Sequence, residues 1–337
     1  MVPFAASLNE GAVAGKILGK EGKPVGDSGL GWVVDIGGTN IRLALMRRGE
    51  GAVVEQRLNT PASPEPERVL DVIEALMTKS RVSANSAEGI VLGVPGLVDP
   101  GLGMAIQSGN LGWRRVPIRA LAEARFGLPV RIENDVHLHT LGEWKIGAGR
   151  HLGPQDRFVD VVIGTGVAAG IVVHGQLVRG PGVGEIGHLT WDRYGARCGC
   201  GKIGCVETVV GAKGITRIYQ SLGYPTEDFL GQVVQPLEAG EPWASRVWQE
   251  FVQALAFSLS AVIMVVNPTM IVLSGGLAAS FPHWGKRLRE ALDQELFVSM
   301  RERLELVTSC LGDRAPFWGG SFLLFDDIGE GNRNSGS

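Results

Sequence analysis

The chain has 337 residues, 45% hydrophobic and 20% charged, which supplies more apolar surface than one core needs and excludes a disordered chain. Thirty-two Lys and Arg against 35 Asp and Glu leave a net charge of −3, so there is no overall electrostatic footprint for nucleic acid or an anionic membrane. Glycine, at 49 residues, is about twice its usual share and signals tight turns and places where backbone closely approaches a ligand.

Residues 1–29 carry six glycines and no apolar period, and they read as a flexible lead-in. No basic start followed by an apolar run is present, so a secretory signal is not expected and the reading is cytoplasmic. Residues 31–46 form two apolar runs around a polar tip at Asp35–Asn40, a β-hairpin pattern. Helical spacing follows over 68–79, a short buried strand over 89–94, and a helix over 118–126 closed by Gly127. Residues 129–135 read as a strand ending in Glu133-Asn134-Asp135, which runs into a helix over 136–144. A second hairpin over 159–173 has its tip at Gly164-Thr165-Gly166, so the chain is expected to contain two similar halves. The apolar stretch 251–266 is interrupted by Gln253, Ser258 and Ser260 and is shorter than the roughly 20 residues of a membrane span. It reads as a buried helix stopped by Asn267-Pro268, and a strand over 270–274 then enters Gly275-Gly276. The tail over 327–337 reads as disordered. Strands alternating with helices give an α/β class with partly parallel sheets, whose ligands lie at the carboxyl ends of strands, where Asp135 falls.

Three tips could carry chemistry. In Asp35-Ile-Gly37-Gly38-Thr39 the glycines free backbone N–H groups for an anion, Thr39 adds a hydroxyl, and Asp35 could hold hydrated Mg2+. A lone motif of this kind is more often the tip of a plain hairpin. Its recurrence in Thr165-Gly166 and Gly275-Gly276 points to a nucleotide between two halves, and the absence of a Walker A sequence argues against a P-loop fold. The most specific pattern is His188 with Cys198, Cys200 and Cys205, a ligand set for tetrahedral structural zinc. Glycines at 199, 201 and 204 argue against a packed core of ordinary thiols there, whereas Cys310 stands apart and is expected in the core. Glu185 and Glu207 flank the cluster and would form one polar wall with His188. His137, His139, His151, His174 and His283 have the ordinary reading of surface or satisfied core residues, and for the first two a helix-surface position is at least as good as one in a cleft.

Asp35-x-Gly-Gly-Thr39, Glu133-Asn134-Asp135, Glu185-x-Gly-His188, Cys198-x-Cys200-Gly-x-x-Gly-Cys205-x-Glu207 and Ser274-Gly275-Gly276 together resemble the ROK family of sugar kinases and sugar-responsive repressors, over about residues 30–325. The cysteine motif is very specific, while the glycine turns belong to the wider actin-like ATPase superfamily. The resemblance implies two RNase-H-like lobes closing over a cleft: a small lobe over 30–137, to which a last helix over about 317–326 returns, and a large lobe over 138–316 with a zinc loop over 188–207. It implies ATP with Mg2+ at Asp35, Gly37, Gly38, Thr39, Thr165, Gly166, Gly275 and Gly276, and Asp135 as the base that accepts the proton of a sugar's terminal hydroxyl. Asn110, Asn134, Glu185, His188 and Glu207 would hold the ring hydroxyls, His188 serving zinc with one nitrogen and sugar with the other. A homodimer is also implied.

The rival within the family is a repressor with a winged-helix domain ahead of the sugar-binding part. About 30 residues precede the first strand and carry no dense basic stripe, so an enzyme without nucleic-acid or membrane partners is the expectation. Glucose is the first expectation for the sugar, with N-acetylmannosamine, N-acetylglucosamine or fructose as alternatives. The chain departs from the family pattern at Asn40, where Lys is frequent, at His137 and His139, where small residues are commoner, and in Pro316-Phe-Trp-Gly-Gly320.

Overall fold

The computed structural model describes residues 29–82, 86–224 and 235–325. The lead-in and the tail expected over 1–29 and 327–337 lie outside these residues, apart from Gly29. Two five-stranded sheets dominate. The first is built from β1 (Leu30–Ile36), β2 (Asn40–Arg47), β3 (Gly51–Asn59), β4 (Ile90–Val94) and β8 (Val130–Asn134), in the order β3-β2-β1-β4-β8. The second contains β9 (Arg157–Ile163), β10 (Val167–Val173), β11 (Gln176–Leu177), β12 (Met270–Ser274) and β13 (Glu305–Thr308), in the order β11-β10-β9-β12-β13. Both follow one plan: two antiparallel hairpin partners on one side of the first strand and two parallel strands on the other. The two expected hairpins are therefore the opening strands of two copies of an RNase-H-like unit, the architecture of actin-like ATPases.

Helices fill the crossovers that parallel strands require. In the first half these are α1 (Pro66–Lys79) and α2 (Ile118–Phe126), the latter ended by Gly127 in the left-handed region at φ 65°. Between β4 and β8 the chain also makes a small sheet of β5 (Leu97–Asp99), β6 (Met104–Ser108) and β7 (Trp113–Val116), which the sequence reading does not contain. Next comes α3 (Asp135–Lys145), capped by the Asn134 side chain, which accepts from the His137 N–H at 3.0 Å. The second half carries α4 (Glu207–Val210), α5 (Ala212–Ser221), α6 (Gln235–Glu238), α7 (Pro242–Val266), α8 (Phe281–Glu295), α9 (Val298–Arg301) and α10 (Ala315–Phe325). Helix α7 begins nine residues before the expected 251, because Pro242 fits a first helical turn, and it ends at Asn267 with φ 50° ahead of Pro268. It alone among the described helices is long and apolar enough to cross a membrane. Its Trp248, Phe251, Leu255 and Leu259 instead lie in the core of the second half with Tyr219, Trp284 and Leu288.

Helices α3 and α10 occupy the layer between the two sheets. Leu138 of α3 packs with Val33 and Val91 of the first sheet and with Phe317 of α10. Leu141 and Trp144 of the same helix pack with Phe158, Val172 and Val272, on the second. The two helices cross so closely that a methyl group on Gly319 would stand 1.8 Å from the Leu138 carbonyl oxygen, and one on Gly142 2.1 Å from that of Ala315. This double cover overturns the helix-surface reading of His137 and His139, which are 6% and 7% exposed. His139 Nδ1 meets the buried Asp160 carboxylate at 2.8 Å, and Asp160 also accepts from Ser274 Oγ at 2.6 Å. Cys310 is exposed, against the core position expected for it, because it lies in the turn after β13 rather than in a strand.

Candidate active site

Every candidate residue of the first half lies at or beyond a strand end of the first sheet, or in the small sheet beside it. Asp35 is the penultimate residue of β1, and its Oδ2 accepts from Arg42 Nη2 at 2.5 Å and Nε at 3.0 Å. Arg42 also donates through Nη1 to the Asp313 carbonyl at 2.9 Å, so this pair joins the first hairpin to the turn that precedes α10. The turn Gly37–Asn40 closes on itself, Gly37 N–H donating to the Asn40 carbonyl at 2.9 Å, and it leaves Gly38 and Thr39 exposed. Asn110, in the turn between β6 and β7, stands opposite: a methyl on Gly38 would be 3.1 Å from its Cβ.

In the second half, Gly164–Gly166 forms the corresponding tip, and the Gly164 carbonyl accepts from the Ala212 N–H at the start of α5. Gly275 follows β12 at φ 85°, where a methyl would lie 2.4 Å from the Ile163 carbonyl oxygen, so only glycine fits; Gly276 beside it is exposed with open space around it. The three donor-bearing turns thus cap strand ends of both sheets, a setting suited to an anionic ligand.

Asp135 is the first residue of α3, and its Oδ1 accepts from the Val136 N–H at 3.0 Å. Burial, the Asp35 charge and the Glu185 charge push its carboxyl up to about 7, while the Val136 N–H and His137 pull the other way. A carboxyl poised near neutrality at a strand end has the proton affinity suited to a general base. Asn134 next to it is committed twice, accepting from His137 N–H and donating through Nδ2 to the Gly96 carbonyl at 2.8 Å, which leaves one amide proton for a ligand.

Glu185 and His188 lie on one short turn after a glycine-rich run, and His188 Nε2 faces Glu185 Oε2 at 3.6 Å. His188 Nδ1 points the other way, 3.6 Å from Cys198 Sγ. Cys200 and Cys205 Sγ are 3.7 Å apart, and one donor atom from each of His188, Cys198, Cys200 and Cys205 falls within 4.8 Å of all the others. Tetrahedral zinc bonds of about 2.3 Å to sulfur and about 2.0–2.1 Å to nitrogen require S···S and N···S edges of roughly 3.5–3.8 Å, so this donor set fits the ion. Lys202 Nζ donates to the His188 carbonyl at 2.7 Å and closes the loop. Glu207 begins α4 two residues after Cys205, its Oε1 3.9 Å from Cys198 Sγ and its Oε2 3.4 Å from the Val167 N–H. Burial raises the Glu185 carboxyl above its ordinary range; His188 opposes this and the Glu207 charge adds to it.

Four charged residues around the site are absent from the sequence reading as side chains with a role. Arg42 holds Asp35, and Arg179 donates through Nε to the buried Glu133 at 2.7 Å. Glu143, fully buried, accepts from Ser309 Oγ at 2.5 Å, Ala148 N–H at 2.9 Å and Leu311 N–H at 3.1 Å. Asp160 joins α3 to β12 through His139 and Ser274. For Glu143 the sequence offers one signal, an acidic residue on a helix over 136–144 that has no continuous charged face.

The family model for the ROK family matches residues 32–327. Among curated relatives, a glucokinase of Halalkalibacterium halodurans is 29% identical over 313 residues, covering 86% of this chain and 93% of the relative. A xylose repressor of Caldicellulosiruptor bescii is 26% identical over 314 residues, covering 88% and 78%. A crystal structure of a ROK family glucokinase from Streptomyces griseus in complex with glucose and AMPPNP superposes with a TM-score of 0.75 at 26% identity, over 88% of this chain and 99% of that one.

Proposed function

The chain belongs to the ROK family, and from that premise we propose that it is an ATP-dependent sugar kinase that phosphorylates the terminal hydroxyl of a hexose, glucose first. The observation that carries this reading is Asp135: a carboxyl held near neutrality, electrostatically coupled both to Asp35 at the glycine turn and to Glu185 on the opposite loop. A repressor needs a sugar pocket but no base, whereas this carboxyl is disposed to accept a hydroxyl proton.

In this mechanism Glu185, His188, Glu207, Asn134 and Asn110 bind the ring hydroxyls, and binding by several fixed groups orients the terminal hydroxyl towards Asp135. Asp135 takes the proton as the hydroxyl oxygen attacks the γ-phosphorus; the bond to the ADP oxygen breaks, and ADP leaves with the electron pair. Backbone N–H groups and hydroxyls at Gly38, Thr39, Thr165 and Gly166 hold the phosphates, Gly37 shapes the turn through its bond to the Asn40 carbonyl, and Gly275 and Gly276 leave bare backbone for the nucleoside. Asp35, whose Oδ2 is held by Arg42, would offer its other oxygen to Mg2+, which would neutralise charge on the phosphates when bound with ATP. Zinc would be held by His188 Nδ1, Cys198, Cys200 and Cys205 and would be structural, since these four donors suffice for a tetrahedral ion, while His188 Nε2 faces Glu185 Oε2 and, with it, would meet the sugar.

A second reading, a sugar-binding regulator, is favoured by the xylose repressor relative. Sugar-dependent ADP release measured with Mg·ATP across glucose, mannose, fructose and the N-acetylhexosamines separates the two. Turnover with one sugar supports the kinase and identifies its substrate, while stabilisation by a sugar without any turnover supports the regulator.

A further inference from the structure

The mechanism above makes no use of Glu133, although it is 1% exposed and immediately precedes Asn134 and Asp135. Its Oε1 accepts from the Asn134 N–H at 3.0 Å and from His137 Nδ1 at 2.9 Å, and its Oε2 accepts from Arg179 Nε at 2.7 Å. Burial opposes its ionisation, but His137 and Arg179 outweigh burial and hold the carboxyl below the usual range, so the pair with Arg179 is a charged one. A buried carboxylate with three donors is a fixed point, since moving any donor away leaves charge uncompensated.

The partners come from different sheets. Glu133 lies in β8 of the first sheet, and Arg179 follows β11, the edge strand of the second. Arg179 also opens the run that delivers Glu185 and His188, in which Gly180, Gly182 and Gly184 all have positive φ. At its far end this run is pinned to β10: the Gly184 carbonyl accepts from the Ala169 N–H at 2.8 Å, and a methyl on Gly184 would stand 1.7 Å from the Ala169 carbonyl oxygen. At its near end, the Glu133–Arg179 pair ties it across to the first sheet. One carboxylate therefore fixes both the start of the sugar-holding run and the residues beside Asp135.

We propose that Arg179, Glu133 and His137 form a clasp between the two halves that holds the run 180–188 in register with Asp135, and so sets how a bound sugar presents its hydroxyl. This rests on the kinase reading for its catalytic consequence, while its mechanical part stands without it. All three are positioning residues that act through Asp135, Glu185 and His188. Because the nucleotide turns are held by other bonds, loss of the clasp falls on sugar turnover and spares nucleotide binding.

The test uses Arg179→Met, Glu133→Gln, the double variant and Arg179→Lys, each read in two ways. Hydrogen exchange of the amides of 180–188 needs no substrate, and the clasp predicts that it rises about tenfold or more in Arg179→Met with the rest of the second sheet unchanged. In steady-state kinetics kcat/KM for sugar falls about 10- to 100-fold while KM for ATP stays within about twofold; the double variant is no worse than the poorer single, and Arg179→Lys recovers part of the loss. Should Glu133→Gln fail to fold, Arg179→Met, altered at a side chain 35% exposed, still decides the matter. Unchanged exchange at 180–188, or KM values for sugar and ATP that rise together, overturns the clasp. If the parent protein releases no ADP with any sugar, the kinase reading fails, and the exchange result alone supports or overturns the clasp.

Discussion

Replacing Asp135 by Asn separates the cost of holding a base from its use. Burial and the neighbouring carboxylates raise this carboxyl from 3.8 to about 7. Between those values the unfolded chain has already lost the proton that the native chain retains, so native stability falls as pH rises from about 4 to about 7 and is level above. Roughly three pKa units correspond to a ceiling of about 4 kcal/mol, and because Asp135 is only half-buried, solvent screening reduces this to about 1–3 kcal/mol. Asn has the same shape, keeps an oxygen for the Val136 N–H and carries no charge. The variant should therefore melt about 2–8 °C above the parent at pH 8, with a markedly smaller difference at pH 5. ADP release should fall by about 10²- to 10⁴-fold, and the parent's rate should rise through about pH 7 as Asp135 ionises. Thermal melts at the two pH values beside the turnover assay check this. A variant that melts below the parent at pH 8, or a difference independent of pH, refutes the electrostatic argument.

Three further outcomes follow from the geometry. Stripping zinc with a chelator, or Cys200→Ser, should abolish stoichiometric zinc and weaken sugar affinity by about 10- to 100-fold through His188, with ATP affinity retained; unchanged sugar binding in the zinc-free protein refutes the coupling. In Gly166→Ala the new methyl would lie 2.0 Å from Glu207 Oε2 and displace that side chain, so the sugar KM should rise about tenfold with little loss of stability. A calorimetric melt of Glu143→Leu should show a loss of about 2–4 kcal/mol, because Ala148 and Leu311 N–H groups lose their acceptor, whereas turnover per folded molecule persists.

Much of the fold was legible because it is locally encoded. The hairpin of β1 and β2, the hairpin of β9 and β10, α2 with its closing Gly127 and the strand Met270–Ser274 all rest on short-range periodicity and turn residues. The repetition of the hairpin also foreshadowed two units with one strand order. Strands β5 to β7 escaped because Leu97–Asp99, Met104–Ser108 and Trp113–Val116 mix polar and apolar residues and lack the unbroken apolar run that marks the equally short β4 and β12. The cysteine spacing pointed to His188, Cys198, Cys200 and Cys205, whose donor atoms the fold brings together. What periodicity cannot carry is long-range pairing: Glu133 with Arg179 over 46 positions, Glu143 with Leu311 over 168, Asp160 with Ser274 over 114. Periodicity likewise left His137 and His139 undecided between surface and core, since covering α3 depends on the second sheet, where His139 meets Asp160, and on α10, which arrives nearly two hundred residues later.

The most direct measurement of the central claim is phosphorus NMR of glucose incubated with Mg·ATP and the protein, run beside Asp135→Ala. A new sugar phosphomonoester on the terminal carbon should form as ADP appears, and none with the variant. Phosphate released to water, phosphate on the anomeric oxygen, or equal product from the variant would contradict it.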